Sequence, residues 1–151
     1  MSEDNQQFLI QKIYLKDVSF ESPNSPQALT DWDWQPEINV QINSSHQVVG
    51  ENIYEIVLDI TVTAKQDDKT AFLAEIKQAG LFMLSGFSED NLSGMLGAYC
   101  PEALFPYARE AVSEMITKGG FPPLLLSPVN FNALFAQQKQ KQQQADQGAA
   151  H

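Results

Sequence analysis

Apolar and polar residues alternate along much of the first part of the chain, with the period of two that is typical of β-strands. The clearest alternation lies in residues 53–64, where two sets of residues occupy opposite faces: Tyr54, Ile56, Leu58, Ile60 and Val62 against Glu55, Asp59, Thr61 and Thr63. Residues 8–21, 37–43 and 70–82 are predicted to form three further strands. Because no helical segment separates the four strands, they are expected to pair antiparallel. Such a sheet can leave one face in water, and here that face would carry the following acids: Asp17, Glu21, Glu55, Asp59 and Glu75.

The pattern becomes helical after the fourth strand. Ser88 is a candidate N-cap, and the main helix is predicted to begin near Pro101 or Pro106. The helix is expected to end at Lys118, which two glycines follow. Its apolar residues recur at helical spacing: Phe105, Ala108, Val112, Met115 and Ile116. Residues 121–130 contain three prolines and are predicted to form an extended, largely covered crossover.

The end of the chain loses its apolar pattern. Asn130 is predicted to cap a last helix that carries Phe131, Leu134 and Phe135 on one side. The following residues, 137–151, are rich in glutamine and are predicted to be a disordered tail. A length of 151 residues predicts one domain, which we place at residues 8–136, after a flexible N-terminal segment of residues 1–7.

Charge is distributed unevenly along the chain. The whole net charge of −10 lies within residues 1–100, which hold 15 acidic and 5 basic residues. Nucleic acid is therefore not an expected partner, because phosphate binding needs a basic surface. This acidic part of the chain either serves solubility alone or docks a basic partner. The sequence has no apolar run long enough to span a membrane, its N-terminus is unlike a signal peptide, and it has one cysteine; we expect a cytoplasmic protein without membrane insertion.

Catalytic chemistry finds little support in the sequence. Cys100 could act as a nucleophile with His46 as its base, but a single cysteine is more often a small buried apolar residue. One cysteine and two histidines, His46 and His151, cannot form a structural zinc site. No glycine-rich phosphate-binding loop occurs. The sequence therefore predicts neither an enzyme nor a bound cofactor or metal.

Several separate blocks of the sequence resemble the SecB protein-export chaperone family. In chain order they are IYLKDVSFESPN (13–24), WQPE (34–37), TAFLAEIKQAG (70–80), GAYCPEALFPYARE (97–110), the segment Gly119–Pro122 and SPVNFNALF (127–135). The resemblance covers residues 8–136 and keeps the family's order throughout. It implies an α+β fold in which a four-stranded antiparallel sheet has helices packed on one face, assembled as a dimer of dimers.

The resemblance also implies a function. SecB proteins are ATP-independent cytosolic holdases that bind unfolded precursor polypeptides and pass them to the SecA motor of the Sec translocase. Two alternatives stay open at this point. One is a SecB-like chaperone of a toxin–antitoxin pair, and the other is a protein that binds a small apolar ligand between sheet and helices.

The family's client groove runs between the sheet and the last helix. Carried over to matching positions, it comprises Tyr14, Trp34, Ile38, Val40, Ile42, Phe131, Leu134 and Phe135. Alternating apolar residues of a strand are ordinarily core, so only the resemblance selects these positions.

The family docks SecA through an acidic patch on the outer face of its sheet. The matching positions here are Asp17, Glu21, Leu73 and Glu75. The strand alternation independently assigns the three acids to the wet face. Family tails commonly end in an acidic segment that also contacts SecA, whereas this tail has a net charge of +1 from Lys139, Lys141 and Asp146.

Self-association is expected because a one-sided sheet with few helices has more apolar surface than one chain can cover. The predicted subunit contacts are Ala74, Ile76, Phe105, Val112, Met115 and Ile116. Each of them also fits the core of a single chain, which is the commoner role for such residues.

Overall fold

The computed structural model describes residues 5–149, with side chains described through residue 145. Its elements follow one another as β1 (Gln7–Glu21), α1 (Gln27–Thr30), β2 (Glu37–Gly50), β3 (Ile53–Gln66), β4 (Lys69–Ser85), α2 (Glu89–Gly94), a π-helical segment (Met95–Tyr99), α3 (Cys100–Lys118) and α4 (Phe131–Ala149). The N-terminal segment of residues 1–7 was predicted to be flexible, and its residues 1–4 lie outside the described residues. No helix within residues 5–149 has the length and apolar character needed to cross a bilayer.

The four strands form one antiparallel sheet in the order β1-β4-β3-β2, which confirms the predicted sheet. β3 and β4 are joined by a tight hairpin whose central residues, Asp67 and Asp68, have φ angles of 53° and 63°. Two left-handed residues match the right-handed twist of paired strands. β1 and β2 are the edge strands, so each of them has one side without a strand partner in this chain.

Residues with even numbers in β3 and β4 form the inner face of the sheet, on which α3 packs. Ile60, Ile76 and Leu58 are fully buried there, and so are Leu104 and Ile116 of α3. This face gives the chain its apolar core. Burial of each such side chain contributes about 1.5–3 kcal/mol, and α3 is held to the sheet by this packing.

The helix signals of the sequence are confirmed in detail. The Ser88 hydroxyl accepts a bond from the backbone N–H of Asn91 at 3.2 Å, and the Asn130 side chain accepts one from Ala133 at 3.0 Å. α3 begins at Cys100 with Pro101 in its first turn and ends at Lys118. Pro106 lies inside α3 without ending it. The carbonyl that loses its partner there belongs to Glu102, which is exposed to water.

Two features differ from the predicted elements. β1 contains bulges between Ile10 and Lys12 and between Leu15 and Asp17, which reset its alternation twice. This explains why the first half of β1 has no clear period of two in the sequence. The last helix continues to Ala149, although the apolar stripe ends at Phe135. The limits of the domain and the disorder of residues 137–151 stay predictions.

Candidate functional site: a groove and an acidic face

The inner face of β2 carries an apolar row at the edge of the sheet. Ile38, Val40 and Ile42 pair with buried residues of β3, namely Ala64, Val62 and Ile60, and so lie on the same face as the core. Ile38 and Val40 are nevertheless each 37% exposed, because α3 packs mainly on β4 and β3. The sheet therefore presents apolar side chains next to an unpaired strand edge.

The other wall of the groove is the start of α4. Phe131 is buried, with its ring 5.6 Å from that of Phe105 between centroids, and Leu134 and Phe135 are half-buried against the core. A cavity of about 250 Å³ lies beside Phe135 and is lined by Ser44 and His46 of β2, among others, whereas Ile38, Val40 and Ile42 do not line it. We call the apolar row of β2, this cavity and the start of α4 together the β2–α4 groove. It joins residues 80 or more positions apart in the chain.

Gly97 in the π-helical segment forms the seat for Phe135. A Cβ atom on Gly97 would lie 2.3 Å from the Phe135 ring, which is far too close for any side chain. Only glycine lets the aromatic ring rest against the helix backbone at this point. The π-helical turn and this contact are features that the sequence analysis missed, because a glycine in a turn-rich segment gives no sign of its distant partner.

Trp34 packs within a group of aromatic side chains. Its ring centroid lies 5.2 Å from that of Phe121 and 6.4 Å from that of Phe72, and Phe20 stacks on Phe72 at 5.9 Å. These contacts hold the loop that carries Trp34 against the body of the protein.

The structure places Tyr14, which was predicted to line the groove, on the outer face of the sheet. It pairs with Ala79, and its hydroxyl donates a hydrogen bond to Glu55 on the outer face of the sheet. The prediction of a groove role for Tyr14 is therefore a misassignment of its face. Its cause is the irregular register of β1, whose neighbour Ile13 points inward instead.

The outer face carries the predicted acidic patch. Glu21 pairs with Leu73, Ser19 with Glu75 and Asp17 with Lys77 across the β1–β4 ladder. Paired residues share a face, so Asp17, Glu21, Leu73 and Glu75 lie side by side on two neighbouring strands. Leu73 is 37% exposed and adds an apolar side chain to this group of carboxylates. We call these four residues the acidic patch.

Glu75 interacts with a second carboxylate, Asp59 of β3. A hydrogen bond to Asp59 and its charge raise the pKa of Glu75 above the ordinary 4.5, and Asp17 adds to this effect. One oxygen of Asp59 is buried without a hydrogen-bond partner among the described residues. Two neighbouring carboxylates repel each other when both are ionised, and a shared proton removes this repulsion.

The predicted subunit contacts lie mostly inside the chain. Ala74, Ile76 and Val112 are at most 1% exposed, and Phe105 and Ile116 are also buried. The structure gives these five residues the core role that the sequence left open, because α3 packs them against β3 and β4. Met115 is half-buried, and a subunit contact at this residue stays a prediction.

Cys100 is fully buried at the start of α3. Burial raises the pKa of its thiol to about 12, so the thiol stays protonated at neutral pH. His46 lies on β2, with its side chain by the groove cavity. Within residues 5–149, no group of three or more histidine, cysteine or acidic side chains is arranged to hold a metal ion.

Comparison with known proteins agrees with these features. The family model of SecB, preprotein translocase subunit SecB, matches residues 1–142. The protein-export protein SecB of Nitrosococcus oceani is 57% identical over 152 residues, which cover 99% of this chain and 92% of that protein. The protein of the same name from Methylococcus capsulatus is 53% identical and covers 99% of this chain and 98% of its own length.

A solved structure shares the fold at much lower sequence identity. A SecB-like chaperone of Mycobacterium tuberculosis, in complex with a peptide from an antitoxin, superposes with a TM-score of 0.66 at 16% identity. The match covers 81% of this chain and 90% of that chain. At this identity the likeness shows the fold alone. The family match and the close relatives show more: this chain belongs to the SecB family.

Proposed function

We propose that this protein is an ATP-independent chaperone of protein export, which holds unfolded precursor polypeptides in the β2–α4 groove and delivers them to the SecA motor. The observation that carries the proposal is the exposed apolar row of Ile38 and Val40 beside an unpaired strand edge. Close relatives named protein-export protein SecB support the export role.

The chemistry of the groove suits clients of many sequences. Apolar burial is non-directional, and the free edge of β2 offers backbone N–H and C=O groups to any extended peptide. Neither interaction reads a particular side chain. A folded protein exposes few apolar segments and few unpaired backbone groups, so the groove should distinguish unfolded from folded chains.

The experiment that tests this is binding of one slow-folding polypeptide, presented unfolded and then native, in the absence of nucleotide. Tight binding of the unfolded form alone is the expected result. Equal binding of both forms, or binding of neither, would contradict holdase activity. Release of the bound polypeptide in a form that can still fold would further support holdase activity.

SecA is proposed to dock on the acidic patch. Three carboxylates on adjacent strands attract a basic surface, and Leu73, 37% exposed at one end of the patch opposite Glu21, offers an apolar contact. Glu75→Lys should weaken binding of purified SecA and reduce its salt dependence, without changing client affinity. Unchanged SecA affinity in this variant would rule out docking at the patch. Since residues 137–151 have a net charge of +1, the proposal assigns the contact to the sheet and not to the tail.

We further propose a cytoplasmic homotetramer, a dimer of dimers, without catalytic activity and without a cofactor. Exposed apolar residues near α3 support self-association: Tyr107 is 49% and Leu125 is 78% exposed in the single chain. Light scattering on the purified protein should give the mass of four chains. A monomer at micromolar concentration would contradict the tetramer but not the groove.

The two alternatives are less well supported. The solved structure with an antitoxin peptide shares only 16% of its sequence with this chain, whereas the export chaperones share more than half. For a small apolar ligand the groove is poorly suited, because its cavity is lined in part by Ser93, Gln138 and Lys139. Saturable binding of one small compound would favour that alternative over a holdase.

A further inference from the structure

Glu55 is a nearly buried carboxylate on the otherwise wet outer face of the sheet. Glu55 is 7% exposed, and three side chains bind its carboxylate. Lys16 Nζ lies 2.8 Å from Oε1, and Gln47 Nε2 donates a hydrogen bond to Oε1 at 3.0 Å. The Tyr14 hydroxyl donates a hydrogen bond to Oε2. These hydrogen bonds, led by the one from Lys16, hold the pKa of Glu55 below the ordinary 4.5. The carboxylate is thus ionised at neutral pH. We call the four residues the Glu55 cluster.

The cluster reaches across the sheet. Tyr14 and Lys16 belong to β1, whereas Glu55 belongs to β3, and β4 lies between these strands. The residue of β4 that pairs with Tyr14 is Ala79, which is fully buried although it faces outward. A side chain no larger than alanine leaves room for tyrosine and lysine to pass over β4. The cluster therefore ties the edge strand β1 to the centre of the sheet.

Lys16 is also the extra residue of a β-bulge. The register passes from the pair Leu15–Gln78 directly to the pair Asp17–Lys77, so Lys16 has no partner in the ladder. A bulge shifts every later residue of a strand to the opposite face. Without it, regular alternation from Leu15 onward would turn Asp17 inward and Val18 outward.

The bulge is held from both faces of the sheet. On the inner face, Gln78 is 4% exposed and its Nε2 donates to the backbone carbonyl of Tyr14 at 3.0 Å. On the outer face, the side chain of the bulged residue itself is bound by Glu55. Val18, the next residue that points inward, is 40% exposed and anchors the strand only weakly. The ion pair therefore restrains the chain just before Asp17 in addition to the ladder pairs Leu15–Gln78 and Asp17–Lys77.

We propose that Lys16 is a positioning residue for the acidic patch: its ion pair with Glu55 fixes the bulge of β1 and thereby presents Asp17 and Glu21 on the outer face to a basic partner. The inference rests on the proposed docking of SecA at this face. Under this proposal Lys16, a basic residue, strengthens the binding of a basic partner.

The sign of one substitution separates this role from simple electrostatics. Lys16→Met removes a positive charge close to the patch, and charge alone would tighten binding of purified SecA. Positioning predicts the opposite, a loss of about two- to fivefold, the size of a partly exposed ion pair. Lys16→Arg keeps the ion pair and should restore the affinity. In ¹H–¹⁵N spectra, the amide signals of residues 15–19 should shift or broaden in Lys16→Met alone.

Lys12→Met is the matched control. Lys12 is an exposed lysine of the same strand and the same face, paired with Leu81 across the ladder. Its removal changes the charge equally without touching the Glu55 cluster, so SecA affinity should stay equal or rise. Client binding of each variant, measured in parallel, reports whether the fold is intact.

The outcomes separate the positioning role of Lys16 from the docking of SecA at the acidic patch. Tighter SecA binding by Lys16→Met, equal to that of Lys12→Met, would overturn the positioning role while leaving the patch in place. Failure of Lys16→Arg to restore affinity would also overturn it. If Glu75→Lys has no effect on SecA, the docking site itself is wrong.

Discussion

Alternate residues of the same strands form the two faces of the sheet, yet one face is mostly apolar and buried whereas the other is polar and charged. On β3, Ile60 is fully buried under α3, while its neighbour Thr61 lies on the outer face beside Glu75. The inner face contributes stability through apolar burial, and its apolar strip on β2 stays partly exposed. The outer face contributes little to the core and can therefore carry repelling charges. In the function we propose, this separation by face gives one small sheet two distinct binding surfaces.

The largest effect should come from breaking the inner face. Ile60→Ala removes buried methyl groups from a packed site and should lower the free energy of unfolding by about 2–5 kcal/mol. Thr61→Ala, one residue away on the other face, should change it by less than about 0.5 kcal/mol. Denaturant titration of both variants measures the contrast. Similar losses in the two variants would mean that the outer face is also core.

The next effect should come from the seat of α4. Gly97→Ala places a Cβ where the Phe135 ring now rests, so the start of α4 must move or its neighbours must yield, at a cost of about 1–3 kcal/mol. Hydrogen exchange at residues 131–136 should become faster while exchange in β3 stays slow. Phe135→Ala should relieve the clash, so the double variant is expected to lose less than the two single losses together. Strict additivity would contradict a direct Gly97–Phe135 contact.

The smallest effect should be a pH dependence of opposite sign at two outer-face glutamates. Glu55 has a lowered pKa in the folded state, so its contribution is present above 4.5 and is lost as the pH falls through the folded value. Glu75 has a raised pKa, so the fold gains stability as the pH falls from neutral toward 4.5 and a proton joins the pair with Asp59.

Glu75→Gln should remove that gain, and Glu55→Gln should weaken the loss at lower pH. Thermal unfolding of wild type and both variants from neutral to acidic pH gives the comparison. Parallel curves for wild type and Glu75→Gln would mean that Glu75 and Asp59 do not share a proton.

Local signals in the sequence were sufficient for much of this fold. The alternation in β3, the Asn130 cap and the stop after Lys118 depend on neighbours in the chain, and all three are confirmed. The bulges of β1 were not predictable in this way. They depend on which residues of β4 and β3 lie opposite, as the contacts of Lys16 and Tyr14 with Glu55 illustrate.

The candidate site was predictable only through the family resemblance. Periodicity could assign Ile38 and Val40 to an apolar face, but their exposure depends on where α3 ends its coverage of the sheet. The face of Tyr14 likewise depends on a bulge of β1, and the burial of Ala74 and Ile76 within one chain depends on where α3 packs. Side-chain seats such as Gly97 join segments far apart in sequence and leave no local pattern.

The most direct test of the division between the two faces is one binding experiment with two variants and two partners. Val40→Asp puts a charge into the β2–α4 groove, and Glu75→Lys reverses one in the acidic patch. Titration calorimetry with an unfolded client and with purified SecA should show that Val40→Asp loses client affinity by about tenfold or more and keeps SecA, whereas Glu75→Lys does the reverse. Loss of both partners by either variant, with its unfolding temperature unchanged, would contradict separate faces.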